Sequence, residues 1–436
     1  MAAPQTKQRF TSSLLFKIIV AIILGIAGSF FLPEWFARIF ITFNGLFGNF
    51  LGFFIPVLIF ALITPAIAGI GRGAGKWLAV TTAIAYASTV FSGALAYVSS
   101  WAVYPWLLAG ETTQTAKDVD EGALSPLFTI DMPAPIGVMT ALLLAFTLGV
   151  AMTAVKSDTL YAGVRDLERV IMRVITKFII PLLPIYIFGM FLGMGMNGNL
   201  TDTLATFGKV LLLAVVMTIV LLFIQFVLAG LIAGVNPWRS FVNMVPAYGT
   251  ALGTSSSAAT IPVTYACTRK NGVAPSVAGF TIPLCATTHL AGSMMKICLF
   301  AFAIMSMDNM ALSPALAFGF ILMLGVTMVA APGVPGGAIM AAVGLLDSML
   351  GFSPEQQALM IAAYIAIDSF GTACNVTGDG AIALLVNRFA KGGISRAELA
   401  EGSGFEIDSF IEEDVDPAAD VPPATAESAA TRTPGR

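Results

Sequence analysis

Apolar residues run along this chain in blocks of membrane length, separated by short polar connections. Five such blocks cover about residues 13–32, 36–70, 77–109, 133–154 and 202–232, and another runs from the cationic stretch 156–177 to about 196. Each suits a helix crossing the hydrocarbon core, which takes about 20 residues. Pro33 and Glu34 close the first block. The second ends at residues 71–76, a glycine-rich turn with Arg72 and Lys76 that lacks the spacing of a phosphate loop. After residue 236 the blocks shorten, and two interruptions fall inside them: a serine-rich stretch at 251–262 and a proline- and glycine-rich one at 331–338. Neither can be a continuous transmembrane helix. Irregular backbone at membrane depth persists only where it is buried or lines a cavity. Two such interruptions in comparable positions point to a solute site built from half-helices.

Composition places the chain in the same class. Its 436 residues are 57% hydrophobic and 11% charged, against roughly 25% charged in soluble domains, and the mean hydropathy is +0.87. An all-α polytopic membrane protein is expected, with the lipid bilayer as its surroundings and no nucleic-acid partner. Cations gather at Lys7 and Arg9, at Arg72 and Lys76, and at Lys156, Arg165, Arg169, Arg173 and Lys177. The connection 111–132 is acidic instead, with Glu111, Asp118, Asp120, Glu121 and Asp131 against Lys117. By the positive-inside rule the N-terminus is cytoplasmic, and so by topology is the C-terminus, in a bacterial-type plasma membrane. The first apolar block has no signal-peptide cleavage site. Cys267, Cys285, Cys298 and Cys374 show neither metal spacing nor a disulfide framework and are expected to be small core residues. The aromatic run 43–54 is expected to pack in a trimer interface or against lipid. The polar tail 393–436 is expected to be disordered and cytoplasmic.

Chemistry concentrates in two late blocks. In the segment 357–386, Asp368, Thr372, Asn375 and Asp379 fall within about 60° of one another on a helical face. Two carboxylates, a hydroxyl and an amide in one membrane stripe mark an ion or substrate path, a polar helix seam being the plainer alternative. In the block 275–305, His289, Ser293 and Lys296 share a face at spacings of four and three. A lysine that deep needs a carboxylate or carbonyl partner unless it faces an aqueous vestibule or titrates to neutrality.

Three motifs together resemble the glutamate transporter family, the dicarboxylate/amino acid:cation symporters. They are the serine-rich 254–262, Gly333-Val334-Pro335-Gly336-Gly337, and Asn375-Val376-Thr377-Gly378-Asp379. The resemblance implies eight transmembrane helices, two re-entrant hairpins, a homotrimer and an elevator motion. Scaffold helices would occupy 1–76 and 133–198. The transport domain would comprise 77–110 and 202–390, with hairpins at about 238–268 and 314–350 and its last two helices at about 275–305 and 355–390. Asp368 would hold a substrate amino group, Asn375 a substrate carboxylate, and Asp379 with Asn375 a sodium ion. Ser257, Ala258, Ser293, Val334, Gly337, Gly371 and Thr372 would line the rest of the cradle, with hairpin main chain supplying anion donors.

Departures from the family pattern sharpen the substrate expectation. Acidic-substrate members carry an arginine three residues after the amino-binding aspartate or in the first hairpin. Here the former position is Gly371, and no arginine lies between Arg239 and Arg269. A second carboxylate would be buried unpaired, so a neutral amino acid is expected, with Gly371 leaving room for its side chain. In the block 275–305 the family's Asn-Met-Asp-Gly-Thr becomes His289-Leu290-Ala291-Gly292-Ser293. Tyr86 and Thr89 match the family's third helix, but Val90 stands for a serine. One sodium site is therefore expected to be lost, with Lys296 or His289 supplying positive charge in its place. The alternative is proton-coupled or sodium-independent transport or exchange of an amino acid or dicarboxylate. An enzyme finds no triad or metal cluster around the lone histidine; a channel and a transport-dead sensor are the other rivals.

Overall fold

A computed structural model describes residues 14–73, 76–108, 125–155, 157–196, 200–329, 331 and 336–391. Among these, every regular element is a helix: α1 Leu14–Ser29, α2 Glu34–Gly73, α3 Lys76–Leu107, α4 Val138–Val155, α5 Asp158–Val174, α6 Ile180–Met196, α7 Leu200–Ala233 and α8 Pro237–Thr254. They continue as α9 Ser257–Lys270, α10 Pro275–Thr288, α11 Ala291–Met307, α12 Pro314–Val329, α13 Gly337–Leu350, α14 Pro354–Ala366 and α15 Asp368–Phe389. By length and composition Glu34–Gly69, Lys76–Leu107, Asp158–Gly193, Gly208–Ala233 and Pro275–Met307 can each cross a membrane. The pair α14–α15, bent by 62°, is a further candidate. The basic N-terminal residues, most of the acidic connection, Val334 and the tail 393–436 lie outside the described residues.

Packing sorts the helices. α1 lies against α6, and α2 against α4, α5 and α6. α15 is surrounded by α7, α8, α9, α10 and α11, while α3 runs along α11 and α12. α8 folds back on α9 through Ser255, at φ +49°, and Ser256, whose hydroxyl accepts the Ala259 N–H at 3.3 Å. α12 likewise packs on α13.

Three expectations are corrected. The cationic stretch 156–177 is not a simple connection: α5 begins at a Ser157 cap and runs through a short π-helical segment, Ile175–Ile179, into α6. Its polar face carries the pairs Arg165–Glu168 and Arg169–Asp166 one turn apart, which suits an amphipathic helix. Second, neither late block is one continuous helix. The first breaks at His289–Leu290 and the second at Ile367. Neither break holds a proline or glycine. Side chains reach the backbone beside each break: Ser92 donates to the Ala291 carbonyl at 2.5 Å and Lys296 to the Ile367 carbonyl at 3.2 Å. Third, the aromatic run 43–54 is internal in part: Phe53 is exposed, while Phe47 and Phe54 are buried within the chain, in an aromatic column that meets Tyr186 and Phe178. Those rings fasten α2 to the α5–α6 run.

Close approach of α11 to α15 depends on Gly292, where an added Cβ would lie 2.6 Å from both Cys374 Cβ and the Gly371 carbonyl oxygen. Because backbone must yield, Gly292→Ala is predicted to cost about 1–3 kcal/mol. The thermal unfolding midpoint in detergent should fall accordingly; an unchanged midpoint would contradict this contact.

Candidate functional site

The site forms where α11, α13 and the broken pair α14–α15 meet. Asp368, the first residue of α15, lies just beyond the break. Its Oδ2 accepts the Gly336 N–H at 2.9 Å, at the N-terminal end of α13, where unpaired amides favour an anion. Its Oδ1 lies 3.4 Å from Lys296 Nζ. That ammonium, 0% exposed, also donates to the Ile367 and Asp368 carbonyls at 3.2 and 3.5 Å, at the junction between α14 and α15. It sits over the Tyr364 ring, 3.8 Å from the centroid. The carboxylate therefore meets a helix N-terminus, which suits its charge, and carboxylate and ammonium each have further partners, which is what a buried pair requires.

Gly371 is part of this arrangement. A Cβ added there would lie 2.3 Å from Lys296 Cε and 2.4 Å from Nζ. The room expected at Gly371 for a substrate side chain is thus filled by Lys296. Beside it, Asn375 Oδ1 accepts the Gly292 and Ser293 N–H groups at 2.8 and 3.4 Å. Asn375 Nδ2 donates to Ser293 Oγ at 3.2 Å, and the Tyr364 hydroxyl donates to the same oxygen at 2.8 Å. Thr372 turns its hydroxyl back to the Asp368 carbonyl at 3.1 Å. Ser257 is buried at the start of α9, with Ala258 exposed beside it, and both limbs of that hairpin pack on α15. Gly337 is buried at the start of α13.

A second buried cluster lies further along α15. His289 Nδ1 and Asp379 Oδ1 are 2.9 Å apart, with exposures of 0% and 1%. His289 Nε2 lies 3.1 Å from Ser88 Oγ, which accepts from Gln225 Nε2 at 2.9 Å. These contacts form a directed relay when the imidazole is neutral: Gln225 donates to Ser88, Ser88 to Nε2, and Nδ1–H to Asp379. A proton added at Nε2 would force the Ser88 hydroxyl to find another acceptor. Gly378 admits the cluster, since a Cβ there would lie 2.7 Å from Gln225 Oε1 and 2.8 Å from His289 Cε1.

Tyr86 and Thr89 are not the α3 residues that reach this cluster. Tyr86 donates to the Leu322 carbonyl at 3.2 Å and Thr89 to the Ala85 carbonyl at 2.9 Å. Ser88 takes that place. Sequence inspection also missed Gln225 and Tyr364. Gln225 carried a usable signal, an uncharged amide inside an otherwise apolar span; Ser88 and Tyr364 carried none.

The model of the sodium:dicarboxylate symporter family matches residues 14–389. Excitatory amino acid transporter 1 of Ambystoma tigrinum is 34% identical over 183 residues, 41% of this chain and 32% of that protein. Its Homo sapiens counterpart is 32% identical over the same extent. The chain thus matches only about a third of the length of those relatives. Serine/threonine transporter SstT of Acinetobacter baumannii (strain AYE) is 28% identical over 393 residues, 84% of this chain and 94% of that protein.

The buried pair makes a prediction that needs no substrate. Lys296→Met leaves Asp368 uncompensated and should lower stability by about 3–5 kcal/mol. Adding Asp368→Asn should recover much of that loss, read as thermal unfolding in detergent. Simple additivity of the two changes would contradict the pairing.

Proposed function

The chain belongs to the sodium:dicarboxylate symporter family, a family of membrane transporters and not of enzymes, and from that we propose that it is a secondary active carrier of a small carboxylate-bearing solute. The observation that carries this proposal is the convergence on one buried locus of two helix breaks and a hairpin end, at Asp368, Asn375, Ser293 and Gly336. Broken helices with their polar ends turned inward suit a solute that must be bound and released, and a static polar seam needs no such breaks.

We take α1, α2, α4, the α5–α6 run, α7 and α3 as spans, with α10–α11 and α14–α15 as two broken spans, making eight; α8–α9 and α12–α13 are then the hairpins. In the elevator mechanism that we propose, α3 and α7–α15 move as one body past α1, α2 and α4–α6. The packing preferences of the two helix groups support this division. The homotrimer rests on family resemblance.

Substrate class follows from the site's charges. Lys296 is the only lysine or arginine fully buried among the described residues, and it is engaged by Asp368. A second solute carboxylate would therefore lack a cation, so a solute with one carboxylate is favoured. The neutral amino acid expected from the sequence satisfies this through its carboxylate, but brings an ammonium to an aspartate that already has one.

Sodium is the proposed co-substrate, with Asp379 as its carboxylate. Gln225 Oε1, buried without a hydrogen-bond partner and adjoining Gly378, supports an additional oxygen ligand there. The His289–Asp379 contact favours one alternative, in which a proton or exchange replaces a sodium ion.

Uptake into proteoliposomes tests the proposal, using labelled amino acids, monocarboxylates and dicarboxylates with and without an inward sodium gradient. Saturable accumulation of a monocarboxylate-bearing solute, raised at least about tenfold by the gradient, is the expected result. Asp379→Asn should remove most of that sodium dependence. Non-saturating flux indifferent to any gradient would contradict a carrier.

A further inference from the structure

A solute ammonium gains most at Asp368 when no other cation already matches that carboxylate. Oδ1 faces Lys296 at 3.4 Å, and Oδ2 accepts the Gly336 N–H at 2.9 Å. The lysine is not an incidental visitor. Two backbone carbonyls at the junction between α14 and α15, an aromatic face and a carboxylate converge on its Nζ. Its stem occupies the volume left open by the absence of a side chain at Gly371.

We propose that Lys296 is a tethered counter-ion holding, on Asp368, the place that an amino group of the solute would otherwise take. The solute is then a small carboxylate without an ammonium, such as a 2-hydroxy or 2-oxo acid. This deepens the carrier reading above and rests on it. A zwitterion arriving here would have to expel Lys296 or share one carboxylate between two ammoniums, and either course leaves a buried positive charge without its own counter-charge. Electrostatics give the same answer. Aspartate, lysine and a solute carboxylate together carry the same net charge as an unpaired aspartate and a zwitterion. The lysine thus conserves the charge of the loaded site while altering the chemistry of what loads it. Asn375 Nδ2 and the N-terminal ends of α9 and α13 remain the natural donors for the solute carboxylate.

Matched pairs of compounds isolate this claim from the number of carboxylates. Reconstituted wild-type protein is assayed for uptake of lactate against alanine, 2-hydroxybutyrate against 2-aminobutyrate, and malate against aspartate. In each pair that is transported, the hydroxy acid should exceed its amino partner by at least about tenfold in kcat/KM. Lys296→Met should reverse that preference, because Asp368 then needs a cation from the solute. Lys296→Met combined with Asp368→Asn should return it to the hydroxy acids. Preference for the amino member in wild-type protein would overturn the proposal while leaving the carrier intact. Transport of no member of any pair, nor of any other carboxylate, would overturn both. The wild-type comparison decides the matter even if a variant fails to fold.

Discussion

A lysine ammonium buried against an aspartate, between the ends of two half-helices, is the interaction on which the rest of this architecture depends. Desolvating two charges is costly, and their mutual attraction offsets that cost only when their remaining hydrogen-bonding capacity is met. Here the requirement explains otherwise separate features. The turn at Ile367 between α14 and α15 brings that residue's carbonyl to the ammonium. α13 must begin beside Asp368 so that the Gly336 N–H can reach its carboxylate. Position 371 must lack a side chain, and Tyr364 must lay its ring beneath the lysine.

The second acidic group on α15 follows a related rule. Asp379 meets His289 at the break between α10 and α11, just as Asp368 meets Lys296 one turn into α11. Both polar partners therefore come from the same broken span. A bare carboxylate at either place would be an uncompensated charge in low-dielectric surroundings. Internal partners reduce that burden in the empty carrier. The solute and co-substrate must then compete with, or be accommodated beside, groups that the chain already supplies.

Much of this was legible in the sequence. Proline, glycine and serine clusters marked the breaks between α8 and α9 and between α12 and α13. Helical spacing put Asp368, Thr372, Asn375 and Asp379 together, and all four lie in α15. The depth of Lys296 demanded a carboxylate or carbonyl partner; it has both. The breaks at His289 and Ile367 were hidden because nothing local causes them. The side chains that reach them come from afar: Ser92, from a helix about two hundred residues away, and Lys296, 71 positions from Ile367. Gly371 misled for the same reason. Its open volume is evident in one dimension, but its occupant appears only when α11 is laid against α15.

An experimental structure of the protein with a transported solute bound would test the central claim most directly. The account predicts that Lys296 Nζ stays within ion-pair distance of Asp368 while the solute carboxylate faces Asn375 and the hairpin ends. A solute ammonium seated on Asp368, with Lys296 withdrawn from the Ile367 carbonyl, would contradict it.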